Sequence, residues 1–136
     1  MAQSMASDDV GGITLNSALF KKVTNLDYMK KGVESKFHPV GCDTLKSTLD
    51  HEIGHEIDNL LGIAEMDEIR NLFYSMSKEE ITEKLSTYAW QNRARNPVKE
   101  FVAEAWSEYM NNPNPREVAK CVGELIEKRY EQWQKK

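Results

Sequence analysis

Apolar residues recur at helical spacing along most of the chain, and short polar or glycine-containing segments separate these stretches. The clearest helix is predicted over residues 44–61, where apolar side chains repeat every three or four residues: Leu45, Leu49, Ile53, Ile57 and Leu60. Gly62 follows, and glycine commonly ends a helix because it adopts the left-handed conformation without strain. The pattern therefore predicts one long helix that packs against the domain through an apolar stripe.

Further helices are predicted over 24–36 and 65–74, and another begins at Ser77, where Ser77 and Glu80 form a capping-box pattern. Asn96-Pro97 marks the start of a helix that carries 98–110, with asparagine as the cap and proline in the first turn. Asn114-Pro115 repeats this signal before the last helix. The apolar face of that helix is interpreted as core and comprises Val118, Cys121, Val122, Leu125, Ile126, Tyr130 and Trp133.

The N-terminal region has a different pattern. Residues 13–16 alternate apolar and polar side chains after Gly11-Gly12, which favours a short strand. Residues 1–10 contain no hydrophobic signal core, so we expect a disordered lead-in, or the point where a domain was cut from a longer protein. Residues 11–136 are expected to form a single domain. The predicted fold class is α+β and mostly helical, with a small N-terminal sheet and one long helix.

Composition narrows the class of protein. The 136 residues are 40% hydrophobic and 29% charged, which is typical of a soluble globular domain. The net charge of −4 argues against a nucleic-acid partner, and no apolar run reaches the roughly 20 residues that a membrane helix needs. Cys42 and Cys121 are too few for a disulfide framework, so we expect free thiols, with a disulfide or a metal ligand as the alternatives.

Within the long predicted helix, His51 and His55 are four residues apart, so both imidazoles leave the same face and can reach one metal ion. Glu52 lies beside them and can take a proton from a water molecule that zinc activates. Gly54 lies inside the same helix, where it costs about 1 kcal/mol relative to alanine. A close approach by another segment would explain this glycine. The motif therefore predicts a zinc site, although five residues alone also occur by chance.

A catalytic zinc needs a third protein ligand and one open position. The metzincin pattern is excluded, because Leu61 occupies the position of its third ligand and leucine cannot bind zinc. His38 is a weak candidate, since it precedes the motif. Glu100 and Glu104 are better candidates, because they share one helical face in a segment otherwise rich in core residues. One carboxylate can bind the metal, and the other can accept a hydrogen bond from a ligand histidine.

Two motifs together resemble the catalytic domain of anthrax lethal factor and its relatives, which include secreted proline-specific endopeptidases and domains embedded in phage head-associated and toxin-like proteins. The first motif is similar to the family's His-Glu-Phe-Gly-His run with an aspartate three residues later, which Asp58 matches. The second is similar to its Glu-Phe-Phe-Ala-Glu-Ala-Phe run. In this chain the second motif reads Glu100-Phe101-Val102-Ala103-Glu104-Ala105-Trp106.

The resemblance implies a zincin-like fold and a role for each matching residue. His51, His55 and Glu100 are the implied zinc ligands, and Glu52 is the implied general base. Glu104 is the implied partner of a ligand histidine, and Asp58 belongs with it as a support of the site. The family also has a tyrosine that steadies the oxyanion, and the segment Leu85-Ser86-Thr87-Tyr88 resembles its surroundings. In the family this tyrosine lies only a few residues before the third ligand, whereas Tyr88 lies twelve residues before Glu100. The longer spacing indicates an inserted loop at 91–95.

Two functions follow from these features. The first is a zinc-dependent endopeptidase that acts on protein or peptide substrates, as a monomer or as part of a larger polypeptide. The second is a zinc-stabilised, non-catalytic structural or interaction domain of a phage or toxin protein. Because a structural zinc usually has four protein ligands and no general base, the complete set of catalytic elements favours the peptidase. The missing signal peptide favours a cytoplasmic or virion-associated location.

Overall fold

A computed structural model describes residues 3–4, 13–14, 26–91 and 96–135 of the chain. A 3-10 turn, Ile63–Glu65, lies between the second and third helices. In chain order the other elements are β1 (Gln3–Ser4), β2 (Ile13–Thr14), α1 (Leu26–Glu34), α2 (Leu45–Leu61), α3 (Asp67–Tyr74), α4 (Lys78–Lys84), α5 (Tyr88–Gln91), α6 (Pro97–Asn111) and α7 (Glu117–Gln134).

The predicted α+β class with a small N-terminal sheet is wrong, because the described residues form an all-helical fold apart from one two-residue pairing. Within the described ranges the only extended pairing joins β1 to β2 in antiparallel register, with Gln3 opposite Thr14 and Ser4 opposite Ile13. Two residues per strand give no sheet face on which side chains could pack, since strands in globular proteins usually have at least three. The other residues of the predicted lead-in and strand, and the predicted loop residues 92–95, lie outside the described residues.

Local signals define the helix boundaries. At the start of α2, the Thr44 hydroxyl accepts a hydrogen bond from the Ser47 amide at 3.1 Å. At its end, Gly62 has a φ of +68° and donates its amide to the Asp58 carbonyl at 2.7 Å. The predicted caps Ser77 and Asn96 also form, at α4 and α6. The last helix, however, starts at Glu117 rather than at the predicted Pro115.

The core is built around α6, which packs against α2, α5 and α7. Phe101, Val102 and Ala105 of α6 are completely buried. The predicted core face of α7 is correct for its first part, where Val118, Val122 and Ile126 are buried, and wrong for three other residues. Those three are exposed: Cys121, Tyr130 and Trp133. No helix in the described part of the chain combines the length and apolar character needed to cross a membrane.

Helix α2 buries a different face from the one its apolar stripe predicts. Leu45, Ile53 and Leu60 of that stripe are 37%, 38% and 56% exposed. The buried face is mostly polar and consists of Ser47, Asp50, Glu52, Gly54, Asp58 and Leu61. This face is directed towards α6. The packing of the long helix is therefore decided by polar side chains and by one glycine.

Gly54 is the point of closest approach between α2 and α6. A Cβ atom on Gly54 would lie 3.0 Å from the Ala103 Cα and 3.3 Å from the Trp106 Cβ. The nearest atom belongs to the backbone, so it cannot rotate away as a side chain could. The expected close approach is present, and the glycine allows the two helices to pack at this separation.

Gly54→Ala should lower the free energy of unfolding by about 1–3 kcal/mol, because the added methyl group overpacks the contact with α6. Urea unfolding followed by circular dichroism measures this change. The sign is informative, since the same substitution at an uncrowded helix position stabilises by about 1 kcal/mol. Leu60→Ala, at an exposed position of the same helix, is the matched control and should change stability much less. A stabilised Gly54→Ala protein would contradict the close contact.

Candidate metal centre

Helices α2 and α6 bring together three side chains that could hold a metal ion. His51 and His55 lie one turn apart on α2, and their ring centroids are 4.9 Å apart. The Glu100 carboxylate on α6 bridges them: its Oε2 lies 3.1 Å from the His51 Nε2 and its Oε1 lies 3.1 Å from the His55 Nε2. One ligand atom from each residue lies within 4.8 Å of the other two. The group could therefore hold a metal ion.

Ligands about 2.0–2.1 Å from zinc in tetrahedral geometry lie roughly 3.3 Å from each other. The 3.1 Å distances between the Glu100 oxygens and the two histidine nitrogens are close to this value. The side chains of His51 and His55 are 13% and 19% exposed, so the donor group is not fully closed to solvent.

The pKa values of His51 and Glu100 are shifted so that both side chains are charged at neutral pH. Burial alone would lower the pKa of His51, but hydrogen bonds with Glu100 and Glu104 outweigh it and raise the pKa to about 10. Burial alone would raise the pKa of Glu100, but hydrogen bonds with His51 and His55 lower it to about 2. Because ligand imidazoles bind metals in the neutral form, a metal ion competes with a proton for His51.

Glu104 lies behind His51, as expected for a supporting carboxylate. It is 3% exposed, and its Oε2 lies 2.9 Å from the His51 Nδ1. Burial alone would raise the pKa of Glu104, but His38 and His51 hold it at about 2, so the residue is a carboxylate. A carboxylate there accepts the Nδ1 proton of His51 and leaves the Nε2 lone pair for a metal.

Glu52 follows His51 on α2 and is 6% exposed. Burial raises the pKa of Glu52, and the neighbouring His51 and His55 oppose this shift without cancelling it. A carboxylate whose pKa is raised towards neutrality is a stronger base than an exposed one. The environment of Glu52 thus suits a residue that accepts a proton beside the donor group.

Tyr88 begins α5, and its ring centroid lies 5.8 Å from that of His51. The structure brings it to the site despite the twelve-residue separation from Glu100. Burial and the negative charges of Glu100, Glu104 and Glu52 raise the pKa of the Tyr88 phenol. Its hydroxyl is therefore protonated at neutral pH and can donate a hydrogen bond.

The segment after α1 holds Tyr88 in place. The Tyr88 amide donates to the Phe37 carbonyl at 3.2 Å, and the preceding Thr87 amide donates to the Lys36 carbonyl at 2.8 Å. The Phe37 ring packs edge-on against the Tyr88 ring, with 5.4 Å between centroids. The sequence gives no signal of this long-range backbone pairing, because any residue type can form it.

His38 lies in the same segment, but it is not one of the three grouped donors. Its Nδ1 lies 3.8 Å from the Glu104 Oε1, and its ring centroid lies 6.0 Å from that of Tyr88. The residue therefore faces the supporting carboxylate rather than the place where Glu100 meets the ligand histidines. All three histidines of the chain lie around Glu104 and Glu100.

Asp58 is not brought to the donor group. The carboxylate is 2% exposed; its Oδ1 accepts a hydrogen bond from the Ala64 amide at 2.6 Å, and its Oδ2 accepts one from the Lys99 Nζ at 3.1 Å. These bonds close the turn after α2 and tie it to the first turn of α6. Asp58 thus contacts Lys99, the residue before Glu100, and none of the three donors.

Comparison of the chain with protein-family models, with curated proteins and with solved structures gave no match. The resemblance to the lethal factor catalytic domain therefore rests on the two sequence motifs alone.

Glu100→Ala should weaken binding of Zn²⁺ by more than about 100-fold, which exceeds the usual loss for a supporting residue. The physical reason is that the only anionic donor of the group is removed. Competition with a chromophoric chelator measures the affinity. Glu56→Ala, next to His55 but outside the donor group, is the matched control and should bind Zn²⁺ as the parent does. Near-normal affinity in Glu100→Ala would refute the assignment of this ligand.

Proposed function

We propose that the chain is a zinc-dependent endopeptidase in which His51, His55 and Glu100 hold the ion. The observation that carries this proposal is that groups with four different chemical roles lie at the donor residues or next to them. These are a three-residue donor group, a supporting carboxylate, a buried carboxylate with a raised pKa and a protonated phenol. A site that only bound a metal would need the first two.

The donor set favours zinc. Two imidazole nitrogens and one carboxylate oxygen are a common ligand set of catalytic zinc. Calcium and magnesium prefer sites made of oxygen ligands alone. Three protein ligands also leave one coordination position for water or substrate, whereas structural zinc sites are closed by a fourth protein ligand. The partial exposure of His51 and His55 is consistent with this use.

Zinc at this site would supply Lewis-acid activation of a water molecule and of the scissile carbonyl. Glu52 accepts a proton from the attacking water and delivers it to the leaving amine. The Tyr88 hydroxyl donates a hydrogen bond to the oxygen that becomes negative as the carbonyl carbon turns tetrahedral. Glu104 keeps His51 oriented throughout, so that its Nε2 faces the ion. The substrate class is protein or peptide.

A second candidate is a zinc-stabilised domain without catalysis. The observation in its favour is that the donors come from both central helices, so a bound ion would join α2 to α6 and stabilise the fold. This role does not require Glu52 or the Tyr88 hydroxyl. The two candidates therefore differ in what happens when Glu52 is changed.

Glu52→Gln should retain Zn²⁺ affinity and lose cleavage of a peptide library by about 10²–10⁴-fold, because the amide cannot accept the proton. Mass spectrometry of the digested library measures the cleavage, and chelator competition measures the affinity. Glu56→Gln is the matched control and should cleave as the parent does. If the parent, Glu52→Gln and the control all bind Zn²⁺ and are equally inert, the non-catalytic domain replaces the peptidase.

Tyr88→Phe should lower kcat by about 10²–10³-fold, the usual loss for one oxyanion donor, with a smaller change in KM. Zn²⁺ affinity should stay close to that of the parent, because the phenol is not among the donors. Steady-state kinetics on a peptide identified from the library separates kcat from KM. Unchanged turnover would restrict Tyr88 to packing against Phe37 and His51.

A further inference from the structure

Ser86 lies between α4 and α5 and is completely buried. Its hydroxyl donates to the Glu104 Oε1 at 2.9 Å and accepts a hydrogen bond from the Ala89 amide at 3.3 Å. A serine hydroxyl has one proton to donate, and here it is directed to a carboxylate that supports a metal-binding histidine. Ser86 itself is not one of the three grouped donor residues.

We propose that Ser86 is a positioning residue of the metal centre, which fixes Glu104 and through it the orientation of His51. This inference rests on the metal-binding part of the proposed function and not on catalysis. Ser86 and His51 contact the two oxygens of the Glu104 carboxylate. The Ser86 hydroxyl donates to Oε1, and the His51 Nδ1 lies 2.9 Å from Oε2. Rotation of the carboxylate about its terminal bond would break both contacts together.

Ser86 is the closest partner of the Glu104 Oε1 among the described residues. The His38 Nδ1 lies 3.8 Å from the same oxygen, which is beyond hydrogen-bond distance. Without the Ser86 hydroxyl, the nearest described partner of this oxygen in the 3% exposed carboxylate would be the more distant His38 Nδ1. A buried carboxylate left short of partners shifts or rotates to find one, and His51 would lose its fixed orientation.

Apart from the Ala89 amide, the backbone around Ser86 is held by hydrogen bonds that do not involve its hydroxyl. The Ser86 amide donates to the Ile81 carbonyl at 3.0 Å, and the Arg116 Nη2 donates to the Leu85 carbonyl at 2.9 Å. Arg116 is itself paired with the completely buried Glu108, its Nε lying 3.0 Å from Oε2. The chain should therefore keep its path when the hydroxyl is removed, and a variant can report on positioning.

In the full chain, Ser86→Ala should weaken Zn²⁺ binding by about 10-fold, the lower end for residues that support a ligand. The visible spectrum of the Co²⁺-loaded protein should shift as well, because the ligand field changes when His51 reorients. In a Glu104→Ala background the same substitution should leave Zn²⁺ affinity unchanged, because Ser86 acts through Glu104. Ser86→Thr, which keeps the hydroxyl, should restore the affinity and the spectrum.

Ser107→Ala is the matched control. Ser107 is a buried serine of α6 whose hydroxyl donates to the Ser47 carbonyl at 2.7 Å, so its loss should lower stability and leave Zn²⁺ affinity unchanged. Unchanged affinity in Ser86→Ala, or an equal fold-loss in the presence and absence of Glu104, would overturn the proposal. Absence of peptidase activity in the parent and in every variant would refute the proposed catalysis. The Zn²⁺ affinities would still decide the role of Ser86.

Discussion

The close contact between α2 and α6 is the constraint on which the site depends. Gly54 lies between His51 and His55 in the sequence, and Ala103, whose Cα it approaches, lies between Glu100 and Glu104. The point of closest packing is therefore also the centre of the donor group. Small residues on both helices let the backbones approach until side chains from each reach the same few ångströms. A wider separation would leave two histidines and two carboxylates without their partners.

Helix α6 buries one carboxylate per turn along a single face, and each has its own partners. Glu100 contacts both ligand histidines, Glu104 contacts His51 and a serine hydroxyl, and Glu108 is paired with Arg116. Buried charges are costly unless they are paired and hydrogen-bonded. Two of the three are compensated by groups that also form the candidate metal site, so part of what stabilises this helix pair is that cluster of side chains.

A metal ion bound in this arrangement would also stabilise the fold. An ion bound by His51, His55 and Glu100 would replace charge–charge contacts between the helices with coordination bonds, and binding free energy of this kind is also folding free energy. The groups that such stabilisation does not need are Glu52 and Tyr88, whose pKa values are both raised by burial. A purely structural metal site would not require either of these groups beside the donors.

The sequence alone determined the local features. Caps and glycine ends act within one turn, so the starts at Thr44 and Asn96 and the end at Gly62 could be predicted, and four-residue spacing fixed the shared face of the ligand histidines. Tertiary structure decided the rest. An apolar stripe predicts the buried face only when apolar contact drives packing, and α2 is buried through its polar face. Asp58, Ser86 and the all-helical fold depend on contacts between distant segments, which no local pattern encodes.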